Sequence, residues 1–581
     1  MKVRRLSMLS FAGLSQEAAA EVEFKLVNAL RVLRTDRNKE QKINQLPPEC
    51  LATIFDILCS DFHSYKLHPE FYHFEPPYFP ALFVSQVCGY WRTIALTYRR
   101  LWSFISIDHF SPSSVIRLYI ERSGDSLFNI TRNDTESDLS SSQSKLLREI
   151  SPHFSSRLRF LDIGGERNAL KIFPALFQQP LSNLRCISIQ RIRSRDRAHG
   201  VLNLPFSEAP KLSHLSISGW ISFPVAKLQN LTCIDLCTNL EGQGVSQASF
   251  LQIMELNPKL EVLTLQRWTF TEPSSRRSVP AQCLRHLWLH HCGEASVAFI
   301  LRSLKFSDTI SISVIHNIPR NDTPNQSDLD EVLNIVETLS VTRLGLFSAY
   351  VDDSSESEAH FVFANQASVL VFQFNFSISG FSPYLAVWLR HIVSLPSLHN
   401  IQELYFGLTM TGSSSFLAAR LKEWFFSLPN LNKLAVLPFD QKDGTIPEEL
   451  GGLVVENGVV GWPHLSEVKI FRFPAELFGY LATDPPRYDL DGPPSWWEGF
   501  IMVIKDRESR GYPLSRITVD EDLKPPDDLS TLHLITVPIE CFDWYSNTAI
   551  LMPLPPYRIN FYHARWETRW LTIPHPFFNS L

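Results

Sequence analysis

The sequence lacks the features that mark several large classes of protein. No uninterrupted apolar run reaches the length of about 18 residues that a membrane-spanning helix needs, so we expect no membrane span. There is no basic excess either, because 54 Lys and Arg are outnumbered by 60 Asp and Glu. A chain with a net charge of −6 has no positive field that attracts phosphate backbones. We therefore expect neither nucleic acid nor a membrane as a partner.

Cysteine is scarce, and its placement excludes a disulfide framework. The nine cysteines are odd in number and scattered, and several lie in apolar strand patterns such as LRCISI and LTCIDL. This is typical of reduced thiols in an intracellular protein, so we expect the cytoplasm, the nucleus or both. A secreted recognition protein is an alternative raised by six Asn-x-Ser/Thr sequons and a basic, partly apolar start. It predicts glycosylation of Asn133 and a cleaved N-terminus.

Catalytic motifs are absent as well. The chain contains no HExxH or GxSxG motif, and the glycines from Gly451 to Gly461 are not followed by the Lys-Ser/Thr of a phosphate loop. One group has metal-ligand character, but the strand pattern QCLRHLWLHHC explains it more simply: Cys283, His286, His290, His291 and Cys292. We therefore expect no enzyme activity, no cofactor and no metal.

The segment from Leu46 to Trp102 is the most informative part of the chain. Pro47 and Pro48 stand where the first turn of a helix accepts proline. Apolar residues then follow at i, i+3, i+4 and i+7, namely Leu51, Ile54, Phe55 and Leu58. A second stripe lies within FVSQVCGYWRTIA and contains Val84, Val87, Trp91 and Ile94. The spacing predicts two amphipathic helices, which are too small to bury their apolar faces without a partner.

The order of these residues, closed by Leu101 and Trp102, resembles the F-box. The resemblance covers about a tenth of the chain and implies a small three-helix module that docks on the Skp-type adaptor of a cullin-RING ubiquitin ligase. An aromatic insert from Asp61 to Pro80 and the pair Gly89-Tyr90 depart from the family pattern. A glycine inside the second helix would weaken it by about 1 kcal/mol relative to Ala. By the resemblance, nine residues lie at or behind the adaptor interface: Leu46, Pro47, Leu51, Ile54, Phe55, Leu58, Val84, Val87 and Trp91.

A further helix pattern precedes this segment. Apolar residues recur at helical spacing from about Ser15 to Arg34, and Glu21 stands four positions before Lys25. The spacing predicts an amphipathic helix. Because the repeat lasts barely two heptads, we expect this helix to pack against the F-box-like module or its neighbour rather than to form a free-standing coiled coil.

After Trp102 the form apolar-x-x-apolar-x-apolar recurs, mostly at intervals of 19 to 34 residues. Instances begin at Leu158, Leu184, Leu212, Leu231, Leu260, Leu284, Thr309, Val341, Val369, Ile401, Leu431, Leu465 and Leu514. A stricter form that begins with proline occurs at APKLSHLSI, NPKLEVLTL, LPNLNKLAV and WPHLSEVKI. The proline ends a helix, and the following leucines enter a strand. Helical patterns lie between the strands at 248–256, 295–304, 329–339, 384–395, 416–428 and 496–507.

This alternation resembles the leucine-rich repeats that are often found behind an F-box. The family's Asn or Cys after the strand is matched at Asn239, Cys292 and Asn317. The resemblance implies an α/β fold: a helical F-box-like module (41–103) after an N-terminal tail and helix (1–40), then a curved solenoid with parallel strands on its concave face (104–530). We expect the aromatic and Pro-rich residues 531–581 to form a cap over the last repeat, with an added binding surface as the alternative. We expect surface loops in two interruptions of the array, at 352–360 and 484–494.

Together the two resemblances imply a substrate receptor of an SCF-type ubiquitin ligase. The F-box would hold the adaptor and the cullin core, and the concave strand surface would hold an unidentified protein target. The alternative is a leucine-rich-repeat scaffold without a ligase role, whose first helices only cap the array. The residues expected to line the target surface have a mixed, partly basic character that suits an acidic or phosphorylated target or simple solvation: Arg159, Arg185, His214, Arg285, His286 and Arg343.

Overall fold

The computed structural model describes the chain in segments between residues 15 and 542. They are 15–65, 79–107, 112–132, 156–164, 180–192, 209–219, 228–237, 246–270, 277–317, 326–351, 356–365, 368–377, 394–407, 428–436, 462–470, 497–520 and 536–542, with a few shorter pieces. The chain forms two compact units. Unit 1 comprises Met1–Ile189 with Ser207–Lys211, and unit 2 comprises Gln190–Phe206 with Leu212–Leu581.

Unit 1 is a helical module followed by short parallel strands. Its helices are α1 (Gln16–Lys39), α2 (Pro48–Tyr65), α3 (Pro80–Val87), α4 (Gly89–Thr97) and α5 (Ser113–Ser123), with 3-10 turns at Lys42–Gln45 and Arg99–Trp102. Its strands are β1 (Phe104–Ser106), β2 (Phe128–Arg132) and β3 (Leu158–Gly164), and β4 (Cys186–Ile192) crosses the boundary between the units. Strands β1, β2 and β3 pair in parallel, which places Ile105 beside Ile130 and Ile130 beside Leu161.

The second apolar pattern forms two helices instead of the single predicted one. Helix α3 begins at Pro80, where proline is accepted, and ends at Val87. Cys88 is extended, with φ −156° and ψ 170°, and its sulfur accepts a hydrogen bond from the backbone N–H of Trp91 in α4. Gly89 is therefore the first residue of α4 and not an interior one. The weakening expected from an interior glycine does not apply, and a Cβ at this position would meet no atom within 4 Å.

The predicted helix before the module is present as α1, but the expectation that it packs is wrong. None of its residues is buried, and Leu33 remains 67% exposed. Its contact with the module is through the turn that follows it, where the amide nitrogen of Asn44 donates to the carbonyl of Asn38 at 2.6 Å. Leu26 and Leu30 on the same helix are also more than half exposed.

Unit 2 alternates strands with helices. Its strands are β5 (His214–Gly219), β6 (Cys233–Cys237), β7 (Val262–Gln266), β8 (Val279–Ala281), β9 (His286–His290), β10 (Leu304–Phe306), β11 (Ser311–Asn317), β12 (Arg343–Val351), β13 (Glu356–Ala364), β14 (Val369–Ser377), β15 (Glu403–Gly407), β16 (Lys433–Val436), β17 (Val455–Glu456), β18 (Val459–Val460), β19 (Glu467–Ile470), β20 (Arg516–Asp520) and β21 (Ile539–Phe542). Its described helices are α6 (Gln247–Leu256), α7 (Glu294–Ser303), α8 (Gln326–Thr338) and α9 (Trp497–Ser509), with a 3-10 turn at Pro396–Asn400.

The strand pattern in the sequence is confirmed. A strand begins at, or two residues after, the first residue of each of the thirteen apolar triplets. The predicted helices at 248–256, 295–304, 329–339 and 496–507 correspond to α6, α7, α8 and α9 within a few residues. Strands alternate between buried and half-buried residues, as in β7, where Leu263 and Leu265 are buried and Thr264 is not.

The large sheet of unit 2 is mostly parallel. Strands β5, β6, β7, β9 and β11 pair in parallel in this order, as do β12, β15, β16, β19, β20 and β21. Between these two runs, β14 is parallel to β11, and β13 runs antiparallel to both β14 and β12. The prediction of uniformly parallel strands is therefore wrong at β13.

The exception has a simple physical cause. Strand β12 ends at Val351, and β13 begins at Glu356, so the connection is too short for the crossover that a parallel pair requires. The expectation of a surface loop at 352–360 is consequently also wrong for residues 356–360, which belong to β13. Phe361 and Phe363 continue this strand with buried side chains.

Several predictions lie outside the described residues. They concern the helix at 416–428, most of the helix at 384–395, the loop at 484–494, residues 66–78 of the insert, Asn239 and the cap beyond residue 542. In the part of the chain that the structure describes, no helix combines the length and the hydropathy that crossing a membrane requires.

Candidate functional site

The interior of the helical module is built from the residues that resemble the F-box. Leu51 and Phe55 on α2 and Val84 on α3 are buried. The rings of Phe55 and Trp91 lie 4.8 Å apart at 52°, which joins α2 to α4. These four side chains therefore hold the helices together, and Leu51, Phe55 and Val84 act behind any interface and not on its surface.

The segment before α2 is fixed to α4 by polar contacts. The indole N–H of Trp91 donates to the side-chain oxygen of Asn44 at 2.6 Å, and the hydroxyl of Tyr90 donates to the carbonyl of Leu46 at 3.2 Å. The amide of Asn44 also binds the end of α1. Sequence reasoning missed Asn44, because its role depends on a contact across 47 positions that no local pattern reports.

Leu101 and Trp102 close the module as the sequence predicts for a terminal apolar pair. Both are buried, and the indole of Trp102 donates to the carbonyl of Ala95 at 2.7 Å. The ring of Tyr119 meets Trp102 edge-on at 5.0 Å, and the guanidinium of Arg122 lies 4.4 Å from the indole centroid. Helix α5 thus covers the pair from the side of the strands.

The module contains one ion pair between α2 and the following 3-10 turn. A carboxylate oxygen of Asp56 lies 3.3 Å from Nε of Arg100. Burial raises the pKa of Asp56, and the charge of Arg100 opposes this shift. The pair connects α2 to the turn that carries Leu101, and Arg100 offsets only part of the effect of burial on Asp56.

Helices α2 and α3 expose four large apolar side chains. Val87 is 59% exposed and Phe83 is 54% exposed on α3, and Ile57 and Leu58 on α2 are exposed as well. We call these four residues the apolar patch. Among the nine residues implied by the resemblance, Pro47, Leu58 and Val87 are exposed, and Leu46, Ile54 and Trp91 are half-buried. Ile57 and Phe83 were missed because they stand outside the two stripes that defined the helices.

The second candidate surface is the half-buried face of the sheet in unit 2. On β12, β15, β16, β19 and β20, one register position carries charges of alternating sign. This charge row consists of Arg343, Glu403, Lys433, Glu467 and Arg516. Opposite charges on neighbouring strands attract, so the row is compensated within the protein.

Glu403 is the centre of this row. Its carboxylate lies 3.6 Å from the guanidinium of Arg343 and 3.7 Å from the ammonium of Lys433. It also accepts a 2.7 Å hydrogen bond from the hydroxyl of Tyr405, whose pKa is raised by burial and by the adjacent carboxylate. Arg343 is therefore placed on the surface that the sequence predicts, but its charge is already matched there.

The strands from β5 to β11 present a largely neutral section of the same face. His214, Cys233, Val262, His286 and Ser311 form one row across it. His286 is only 6% exposed, and burial lowers its pKa to about 4. Contact between His286 and a target therefore stays a prediction, and the side chain itself is buried in this structure. His214 is half-buried, and Arg285 is exposed.

A second row on this section contains the acidic residue Asp235. Ser216, Asp235, Thr264 and Trp288 are neighbours in register, and the hydroxyl of Ser216 donates to Asp235 at 2.8 Å. Desolvation raises the pKa of Asp235 to about 6. At the other end of this row, the ring of Trp288 stacks on the ring of His290, and their centroids are 5.6 Å apart. This section offers aromatic and weakly polar groups rather than fixed charge.

The remaining predicted target residues, Arg159 and Arg185, lie in unit 1. Arg159 is half-buried on β3, and Arg185 is exposed directly before β4. Burial, followed by the charges of Arg185 and Arg100, lowers the pKa of Arg159 to about 10. The charges of Arg185 and Arg100 are therefore close enough to act on Arg159.

The suspected cluster of thiols and imidazoles is spread along the chain: Cys283 precedes β9, His286 and His290 are its first and last residues, and His291 and Cys292 follow it. Cys292 is buried, and its thiol donates to the carbonyl of Leu265 at 3.4 Å. Burial raises its pKa to about 12, which keeps it protonated. Within the described residues, no group of three or more His, Cys, Asp or Glu side chains has metal-binding geometry.

Comparisons with protein families and with curated proteins gave no match. The two surfaces are therefore characterised by their exposed side chains and paired charges. An apolar helical surface on a rigid interior suits a protein partner, and a compensated strand face suits a polar protein surface.

Proposed function

We propose that this protein is the substrate-recognition subunit of an SCF-type ubiquitin ligase. The observation that carries the proposal is the apolar patch on a module fixed from inside by Phe55 and Trp91. Exposed apolar residues of this size are costly in water unless a partner covers them. The order of these residues along the chain resembles the F-box, which makes the Skp-type adaptor the proposed partner and the patch its contact surface.

We further propose that the strands and helices of unit 2 form a leucine-rich-repeat solenoid. The support is the recurring strand with two buried apolar residues, the parallel pairing, and helices α6 to α9 in the connections. A single strand-helix unit cannot bury its apolar face, so stacking of neighbouring units must supply the core. In this proposal, the half-buried sheet face becomes the concave surface that receives the target.

The proposed mechanism is positioning. The module fixes the chain to the ligase, and the strand face holds a protein target, so that the target's lysines meet activated ubiquitin at a high effective concentration. No bond is made or broken by this chain. Because Glu403 compensates Arg343 and Lys433, a target that supplies both donors and acceptors fits this face better than a phosphate does.

Co-purification with the Skp-type adaptor tests the proposal. The full chain is expected to form a stable complex, and Val87→Asp together with Phe83→Asp is expected to weaken binding by more than about a hundredfold, because two carboxylates would be buried at an apolar interface. Met502→Asp is the matched control. Met502 is 51% exposed on α9 in unit 2, so the same change there is expected to leave adaptor binding unchanged.

The outer residues make a sharper test than Trp91. Because Trp91 packs on Phe55 and binds Asn44, its replacement disturbs the module itself. A full chain that does not bind the adaptor, or one that binds it equally well with both aspartates on α3, would reject the ligase proposal. The leucine-rich-repeat scaffold without a ligase role would then be the remaining function.

A further inference from the structure

Helix α1 is an amphipathic helix whose apolar stripe is largely exposed. The stripe contains Val22, Leu26, Ala29, Leu30 and Leu33 at spacings of three and four. Leu26 and Leu30 are each more than half exposed. An exposed stripe of this length on a helix of 24 residues is a surface for another helix.

The charge distribution of α1 favours a second copy of α1 as the partner helix. Its first half carries Glu17, Glu21 and Glu23 against a single Lys25, which is already paired with Glu21 at 2.6 Å. Its second half carries four basic residues against a single acid, namely Arg31, Arg34, Arg37 and Lys39 against Asp36. A second copy of α1 in the antiparallel direction brings the acidic half of each helix against the basic half of the other. Parallel copies would bring like charges together.

We propose that two copies of this chain associate through an antiparallel pair of α1 helices. With the twofold axis beside Leu30, Leu26 of each copy lies beside Leu33 of the other. Leu30 meets its own equivalent near the axis. Such an interface is self-complementary, as a closed symmetric dimer requires.

The same arrangement defines the flanking contacts. Glu23 and Arg37 lie on one edge of the stripe, 14 positions apart, and each stands opposite the other residue of the second copy. Two identical ion pairs therefore border the apolar contact. Arg31 is on the side of α1 turned away from the stripe and takes no part. The pairing concerns this chain alone and does not depend on the proposed ligase function.

The test is the mass of the purified full chain, measured by light scattering or sedimentation over a wide range of concentration. A dimer that dissociates on dilution is expected. Glu23→Arg and Arg37→Glu should each raise the dissociation constant by about tenfold, because each places two pairs of like charges at the interface. The double variant, Glu23→Arg with Arg37→Glu, should restore the dimer. Arg31→Glu is the matched control and should have no effect.

These variants keep the fold, because no residue of α1 is buried. Adaptor binding, where it occurs, serves only as an independent check that unit 1 is intact. A full chain that is monomeric at every concentration would overturn the proposal. A dimer that ignores the charge reversals, or one that the double variant does not restore, would place the contact elsewhere and overturn it equally.

Discussion

The indole N–H of Trp91 donates a 2.6 Å hydrogen bond to the side-chain oxygen of Asn44, and this contact joins the end of the helical module to its beginning. The amide nitrogen of Asn44 continues the connection to the carbonyl of Asn38 in α1. One side chain thus fixes α1, the start of α2 and α4 to one another.

We predict that Asn44→Ala lowers the free energy of unfolding of the helical module by about 1 kcal/mol, because the half-buried indole loses its acceptor. Denaturant unfolding followed by hydrogen exchange of α4 measures the change. Asn38→Ala is the control, since Asn38 contributes only its backbone carbonyl. Equal effects of the two changes would contradict the role given to the Asn44 side chain.

We predict that Glu403→Gln lowers the free energy of unfolding of unit 2 by about 2 kcal/mol, because Arg343 and Lys433 keep their charges and lose the carboxylate between them. Each of the three ion-pair side chains is less than a quarter exposed, so water replaces the carboxylate poorly. Thermal or denaturant unfolding measures the loss.

The control for this change is Glu540→Gln. Glu540 binds Arg516 at 2.6 Å, but both side chains are about half exposed, so its replacement is expected to have little effect. A loss at Glu540 as large as that at Glu403 would show that burial does not set the strength of these pairs.

We predict that Asp235→Asn makes unit 2 more stable at neutral pH. The pKa of Asp235 is raised from 3.8 to about 6, so this group contributes more stability below its unfolded value, and that contribution is lost as the pH rises through 6. Asparagine removes the cost of ionisation and can still accept from Ser216. Unfolding at several values between pH 4 and 7 measures the difference, which should shrink towards pH 4.

The stability that His286 and His290 contribute changes with pH in the opposite direction. The pKa values of His286 and His290 are lowered from 6.5 to about 4, so the stability that they contribute is complete above pH 6.5 and is lost as the pH falls towards 4. In the Asp235→Asn variant, this acid loss should therefore be steeper than in the unaltered chain. Asp308→Asn, at an exposed position, should leave the pH profile unchanged.

We predict that Asn257→Ala lowers the free energy of unfolding by about 3 kcal/mol. This buried amide accepts from the backbone N–H of Leu231 at 2.7 Å and donates to the carbonyls of Leu228 and Ile253. It therefore fastens α6 to the turn before β6. Asn432→Ala, at an exposed position in another turn, is the control and should change stability little. A small effect at Asn257 would mean that water reaches these groups.

Local periodicity predicted most of the individual elements. Each apolar triplet marks the position of a strand, because a period of two places alternate side chains on one face, as Leu263 and Leu265 show. Proline at the start of α2 was equally informative, because its missing N–H is tolerated in the first turn of a helix. The candidate module could be located in the same way, since its buried residues repeat at helical spacing.

Contacts between distant segments escaped prediction. The extended backbone at Cys88 divides a continuous apolar stripe into two helices, α3 and α4. The packing of these helices, and not the apolar spacing, sets the backbone conformation there. Asn44 reaches Trp91 from a segment without any pattern. His286 stands on the expected face, yet the adjacent strands cover it. Which residues of the candidate sites reach solvent was therefore not readable from spacing.

The sequence by itself determined the kinds of element, their order and the periodic faces that they bury, because these depend on neighbours within a few positions. Only the tertiary structure decided that β13 runs against its neighbours, that Glu403 compensates Arg343 and Lys433, and that the stripe of α1 stays largely exposed. Each of these depends on which distant segments meet, and that is set by the packing of the whole chain rather than by any local pattern.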